Sequence, residues 1–223
     1  MQVTVASLLL VLLVVPAVAQ SDSVLDEALT PLYGTLSTKA VKQTSEGTLQ
    51  GCSVNFQLMF REWTYSQGRP FIASGSLSYH TNKAMGMVFG LKVVLAEIRR
   101  KGSNSQHIFA PTHFAYLEAK KGNNAKAHVQ TAPSDTANEG RLYIFNAYLP
   151  ESLEIMEAIM DGGPVTLVFN RKKGESDIRV PIDLTVLDTN DGGERRTGFE
   201  TVAEFSSCLS EFLALVEKRL EKK

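Results

Sequence analysis

The feature that most restricts the fold is a period-two run that begins after Thr48. Cys52, Val54, Phe56, Leu58 and Phe60 alternate with Ser53, Asn55, Gln57, Met59 and Arg61. Successive side chains of an extended chain point to opposite faces, so the pattern predicts a long half-buried strand with Cys52 facing the core. Near Glu62 the alternation slips and Trp63 and Tyr65 take up the apolar phase, as a β-bulge would allow. Ser66-Gln67-Gly68-Arg69 reads as a turn. Pro70 then opens a second strand, with Phe71, Ala73, Gly75, Leu77 and Tyr79 on one side and Ser74, Ser76, Ser78 and His80 on the wet one. Together these segments predict a long antiparallel hairpin.

Later segments extend the theme. Strands are predicted at Met85–Ile98, His107–Ala119, Lys126–Thr131, Arg141–Ala147, Val165–Phe169 and Ile178–Leu187, with turns at Lys121–Asn124 and Lys172–Gly174 and a polar loop at Thr131–Gly140. A helix is marked by Pro150 at its first position, by Leu153, Met156, Ile159 and Met160 on one face, and by Gly162-Gly163-Pro164 as its stop. Thr197-Gly198-Phe199-Glu200 fits a capping box. It leads into a stripe of Phe199, Val202, Phe205, Leu209, Phe212, Leu213, Val216 and Leu220 at helical spacing. The expected fold class is α+β: an antiparallel β-rich sheet or sandwich with one short helix and a long C-terminal amphipathic helix. Residues 20–47 read as an N-terminal lead-in, either a short helix or strand entering the domain or a partly ordered segment, and residues 48–223 as a single domain.

The first nineteen residues read as a cleavable signal peptide. Leu8–Val15 is an apolar core, Pro16 breaks it, and Ala17-Val18-Ala19 is a small-x-small site that places cleavage between Ala19 and Gln20. No stable membrane span is expected after cleavage. Export would carry both cysteines, Cys52 and Cys208, into an oxidising compartment, where an even count suggests one disulfide. On the predicted terminal helix Cys208 sits at the margin of the apolar stripe, within reach of a strand beneath. No Asn-x-Ser/Thr sequon occurs, which leans toward a bacterial periplasmic or secreted protein.

Convergent chemistry is hard to find. The chain balances 23 Lys+Arg against 24 Asp+Glu, which argues against nucleic acid as a partner. Arg99-Arg100-Lys101 and Arg171-Lys172-Lys173 lie beside glycines and read as solvated turns. Ser74-Gly75-Ser76-Leu77-Ser78 lacks the second glycine of a hydrolase elbow, and the histidines show no metal-ligand spacing. No cofactor, metal or catalytic residue is therefore assigned. Glu62 beside Trp63 and Tyr65 is the one clustering of a carboxylate with aromatics, although in a strand Glu62 would point away from both neighbours. Aromatics dominate binding hot spots, so Trp63, Tyr65, Tyr143 and Tyr148 form the candidate binding surface.

The second half carries a resemblance. Leu153, Met156, Ile159, Met160, Gly162, Pro164-Val165, Leu167 and Phe169 are followed by Val180-Pro181-Ile182-Asp183-Leu184 and then by Phe205 and Cys208. This layout resembles small exported proteobacterial envelope proteins of the invasion-associated locus B kind. The resemblance implies a periplasmic or surface β-rich protein and no catalytic residue. The expectation is thus an exported, non-enzymatic protein that binds another envelope component. The alternatives are a carrier of a small apolar ligand or lipid, and a hydrolase whose acid–base pair comes from separate strands.

Overall fold

The computed structural model describes residues 25–82, 86–101, 104–119, 130–132 and 141–221. The signal segment with its Ala19–Gln20 cleavage site, the Lys121–Asn124 turn and most of the 131–140 loop lie outside the described residues.

The period-two segments form one large antiparallel sheet. Its strands are β1 (Gly34–Ser45), β2 (Thr48–Glu62), β3 (Arg69–Asn82) and β4 (Gly86–Lys101), followed in space by β8 (Arg141–Asn146) and β7 (Gln130–Ala132). β4 is long enough to take two partners on the same edge. β8 pairs with its first half through Val88↔Asn146 to Val93↔Arg141, and β5 (Asn104–Phe109) pairs with its second half through Ala96↔Phe109 to Lys101↔Asn104. A second sheet is built from β6 (Phe114–Ala119), β9 (Val165–Asn170) and β10 (Ile178–Ile182), with β9 central. A small hairpin, β11 (Val186–Thr189) with β12 (Arg195–Thr197), packs near β1.

Register explains the core. Cys52 lies opposite Tyr79, Tyr79 opposite Phe89 and Phe89 opposite Phe145, while Val54, Leu77, Leu91 and Tyr143 form the next row. These rows share one face and are buried. Phe56 falls opposite Gly75, where a Cβ would come within 2.5 Å of its ring, so only glycine lets the ring lie across β3. The helix Pro150–Met160 and the terminal helix Glu200–Leu220 complete the core, the latter burying Val202, Phe205, Leu209 and Phe212 and packing against β1 and β2. Cys208 is bonded to Cys52 with a Cα–Cα distance of 6.0 Å, tying the helix to the sheet across 156 residues of sequence.

Several expectations are corrected. The supposed lead-in contains β1, which pairs with β2 from Gly34↔Met59 to Ser45↔Thr48 around the left-handed Glu46-Gly47 turn, so the domain begins well before residue 48. Its Ser, Thr and Lys content hid it, because an edge strand keeps much of its surface in water. His107–Ala119 is two strands in two sheets. The chain crosses at Pro111, with Ala110 N–H bonded to the Leu95 carbonyl on one side and His113 N–H to the Asn170 carbonyl on the other. Ile178–Leu187 is likewise broken, because the Asp183 carboxylate accepts hydrogen bonds from the Thr185 N–H and hydroxyl and turns the chain into β11.

The two helices also differ in detail from the sequence pattern. The short helix buries Ser152, Ile155 and Ile159, leaving Leu153 exposed. The capping box does not form, since Thr197 is consumed in β12 and the terminal helix starts after Phe199 without a side-chain cap. Phe199 itself is exposed and lies against Gly162.

Candidate functional site: the groove at the tip of the first hairpin

The β2–β3 connection is short and tightly determined. Gly68 N–H returns to the Glu62 carbonyl at 2.7 Å, Arg69 N–H to the Ser66 carbonyl at 3.2 Å, and Gln67 and Gly68 are left-handed at φ 56° and 83°. β2 ends at Glu62 with no bulge, so Trp63 and Tyr65 belong to the turn and never rejoin the strand. Glu62 is wholly buried. Its carboxylate accepts the Tyr65 N–H, at 2.9 Å to Oε1 and 3.1 Å to Oε2, and so closes the turn from within.

Arg171 anchors this turn to the second sheet. Its Nη1 donates to Ser66 Oγ at 3.0 Å and lies 3.8 Å from Glu62 Oε2, while its guanidinium sits 5.3 Å over the Phe71 ring. Tyr65 donates its hydroxyl to the Ser176 carbonyl at 2.6 Å. The basic run at 171–173 therefore begins with a structural cation rather than a solvated one: a buried carboxylate requires a nearby positive charge and donated hydrogen bonds.

A second ionic cluster stands beside the first. Glu97 on β4 is buried, and its Oε1 accepts from Arg69 at 3.0 Å and from Arg99 Nε at 2.6 Å, while Oε2 accepts from Arg99 Nη2 at 2.8 Å. The Arg99 hydrogen bonds hold the Glu97 carboxyl below its ordinary range against the opposing effect of burial. Both arginine side chains remain about half exposed, at 49% and 47%. Arg99 and Arg100 thus end a strand where the sequence suggested a turn.

Between these clusters and the first helical turn (25–29) opens a groove of about 430 Å³. Trp63 and Gln67 line it, with Arg61, Arg69, Arg99 and Arg100 against the single carboxylate of Asp26. Asp26 is itself engaged by Arg61 and by the Tyr33 hydroxyl at 2.8 Å; burial first, and then Asp26, push the Tyr33 phenol up to about 12. Trp63 is 69% exposed. A Cβ on Gly68 would lie 2.6, 2.6 and 2.8 Å from three consecutive atoms of the indole's six-membered ring. Near-equal distances to neighbouring ring atoms place Gly68 over the face of the ring, so one face is seated on the turn and the other is open.

The predicted aromatic surface divides. Trp63 and half-buried Tyr65 share the hairpin tip. Tyr148, 62% exposed, follows β8 next to the start of β4, on the order of 40 Å along the strand from Arg99. Tyr143 is a correction: it is fully buried, with its hydroxyl 2.6 Å from Thr112 Oγ1 and its ring edge-on to Phe114. Sequence reasoning missed Glu97, Arg69, Arg99 and Arg171, whose partners lie 28 or more residues away or in a face-sharing i,i+2 relation within a strand.

Hydrolytic chemistry finds little to work with among the described residues. Glu62 and Glu97 lie on strands separated by β3, and each carboxylate is already engaged by arginine. Ser78 Oγ does lie 3.3 Å from His80 Nδ1. However, Ser78 is buried, its hydroxyl also donates to the Gly90 carbonyl at 3.4 Å, and burial lowers the His80 pKa. A nucleophile must be reachable, and this oxygen is covered. Between the sheets and helices, Phe71, Phe89, Phe145, Phe169, Phe205 and Phe212 fill the space where a carrier would hold its ligand. Comparison of the chain with protein-family models, curated proteins and solved structures finds no match, so its own residues carry the functional reading.

Proposed function

We propose that this is an exported protein that acts by binding another component of the cell envelope, with the groove at the β2–β3 tip as its binding site. The observation that carries the reading is Trp63: a large aromatic side chain held face-down on Gly68, open on its other side, at the mouth of a groove edged by arginines. Leaving an indole in water forgoes the burial that stabilises a fold, and aromatic and arginine side chains are the residues that most often dominate binding energy. The turn is held by the Glu62 and Arg171 bonds, so little ordering would be lost on association. A periplasmic or secreted location fits the Cys52–Cys208 disulfide, which persists in an oxidising compartment. The likeness of Leu149–Phe212 to the invasion-associated locus B kind points the same way.

The test is site-specific capture. A photo-crosslinking residue in place of Gln67 should trap an envelope component from extracts of the producing cell. The same label in place of exposed Asn55, on the outer face of the sheet, should trap none, and Trp63→Ala should abolish capture at residue 67. Equal capture from both positions, or capture indifferent to Trp63→Ala, would remove the groove from the function.

A further inference from the structure

Beyond the tip groove, we infer that the second half of β1 is a docking edge for a partner protein: an extended segment of that partner adds to the large sheet as its outermost strand, seated against the terminal helix. β1 is an edge strand of that sheet, and its two halves are finished differently. In the first half the backbone carbonyls are taken by side chains from beyond the sheet. Arg195 donates to the Tyr33 carbonyl at 2.7 Å and to the Thr35 carbonyl at 3.2 Å, Thr189 to Leu36 at 2.7 Å, and Thr201 to Thr38 at 3.1 Å. Past Thr38 this cover stops. In a strand the N–H and C=O of one residue face one side and those of the next residue face the other. The Val41 carbonyl accepts the Ser53 hydroxyl from β2, so Ala40, Lys42 and Thr44 turn their backbone groups to the free edge. No strand or side chain among the described residues bonds them there.

An open edge is ordinarily blunted by proline or by charge, lysine above all. This half of β1 has no proline, and Lys42 is folded back onto Glu211 of the terminal helix. Beside the edge runs a groove of about 400 Å³, with Ala40 and Lys42 on one wall and Ala203, Glu204 and Ser207 of the helix on the other. Ala203 and Ser207 are small and exposed, so an added strand meets no bulky side chain. Donors and acceptors repeating at strand spacing are matched by another extended backbone, which fixes the class of occupant. Its residues opposite Ala40 and Lys42 would share the face of Val54 and Cys52 and so point to the helix. Glu204 has no ion-pair partner among the described residues, and a Lys or Arg among small or β-branched side chains complements that wall. The intervening residues lie over the outer face beside exposed Lys39, where polar or acidic side chains fit.

The full chain, labelled for backbone NMR, is titrated with the end-blocked heptapeptide Thr-Val-Thr-Lys-Thr-Val-Thr, which sets valine and lysine on one face of a strand. The amides of Ala40, Lys42 and Thr44 should shift and exchange more slowly with solvent. The same peptide N-methylated at both valines and the lysine loses the donors that would face β1 and should bind at least about tenfold more weakly. Ala40→Pro removes one outward N–H and leaves the β2 bonds of Lys39 and Val41 in place, so it should lose most of the binding. Glu204→Lys, at an exposed position, should reverse the preference between the lysine peptide and its glutamate counterpart by about two- to fivefold. Trp63→Ala should leave peptide binding unchanged, so this edge and the tip groove stand or fall separately. Equal binding of the N-methylated peptide, shifts confined to other strands, or no binding of the unmodified peptide would overturn the assignment. Slow exchange at these amides that appears in the free protein as its concentration rises would assign the edge to a second copy of this chain, and the partner segment would fall.

Discussion

The two ends of β2 are held in opposite ways. At its start, Cys52 is bonded to the terminal helix amid Val54, Phe205, Leu209 and Phe212, an apolar region whose side chains are nearly or fully removed from water. At its finish, Glu62 is equally buried but is held by a backbone N–H and a guanidinium, and the residue that follows it is the most exposed large aromatic side chain in the described structure. The first arrangement maximises stability through hydrophobic burial and a cross-link. The second accepts the desolvation of a carboxylate in return for geometry, since replacing a buried ion pair with hydrophobic residues is often neutral or stabilising. Stability at one end permits a rigid, costly and open surface at the other.

The largest effect is expected at the cross-link. Replacing Cys52 and Cys208 together with alanine should lower unfolding free energy by about 3–5 kcal/mol, close to the chain-entropy expectation for so long a loop. The measurement is the urea midpoint, with Trp63 emission as a second probe of the tip. The tip should keep its native fluorescence in the folded variant, because its bonds run to the 171–177 connection and not to the terminal helix. A variant that folds stably but loses the native Trp63 signal would show that the two ends are not independent. Mass spectrometry of the unreduced protein should find no free thiol, and two free thiols would refute the bridge.

A smaller loss is expected at the tip and should depend on pH. Glu97→Gln removes charge-assisted bonds to two arginines and should cost about 2 kcal/mol at neutral pH. The native protein holds the Glu97 carboxyl below its unfolded value, so the folded state binds fewer protons than the unfolded one in that window. Its contribution is fully present above the unfolded pKa, near 4.5, and is lost as pH falls through the lower folded pKa. The stability difference between native protein and variant should therefore shrink on acidification below about pH 4.5 and stay flat above it. A difference that is constant through this range would mean that Glu97 acts by packing alone.

These two ends were unequally legible in the sequence. Alternation at Cys52–Phe60, Phe71–Tyr79 and Met87–Leu95 announced the central sheet because burial on one face imposes period two. Cys52 and Cys208 could be paired because only two cysteines exist. The charged end left no comparable trace: Arg69 and Glu97 are 28 residues apart, Glu62 and Arg171 still farther, and neither pair falls on a local period. Arg99 and Arg171 looked like solvated turn residues because a basic run beside glycine is usually that. Even Trp63 was expected to rejoin a strand, since nothing local reveals that Glu62 folds inward to cap the turn. β1 was obscured for the opposite reason, its edge position leaving few apolar residues to count.

The smallest expected effect isolates how Trp63 is presented. Gly68 has φ 83° and lies under the indole, where a Cβ would stand 2.6 Å from the ring. Gly68→Ala should thus cost only about 1–2 kcal/mol for the left-handed backbone, with little added by the ring, because the exposed indole can swing away. What changes is order: with its seat occupied, Trp63 should show lower emission anisotropy in the folded protein, and binding at the groove should weaken while the acid limb governed by Glu97 is unchanged. If anisotropy and binding instead stay native, the indole does not depend on Gly68 for its orientation, and preorganisation must come from the Tyr65 and Arg171 bonds alone. One covalent cross-link would then fix the apolar end of β2, and the Tyr65 and Arg171 bonds the open end.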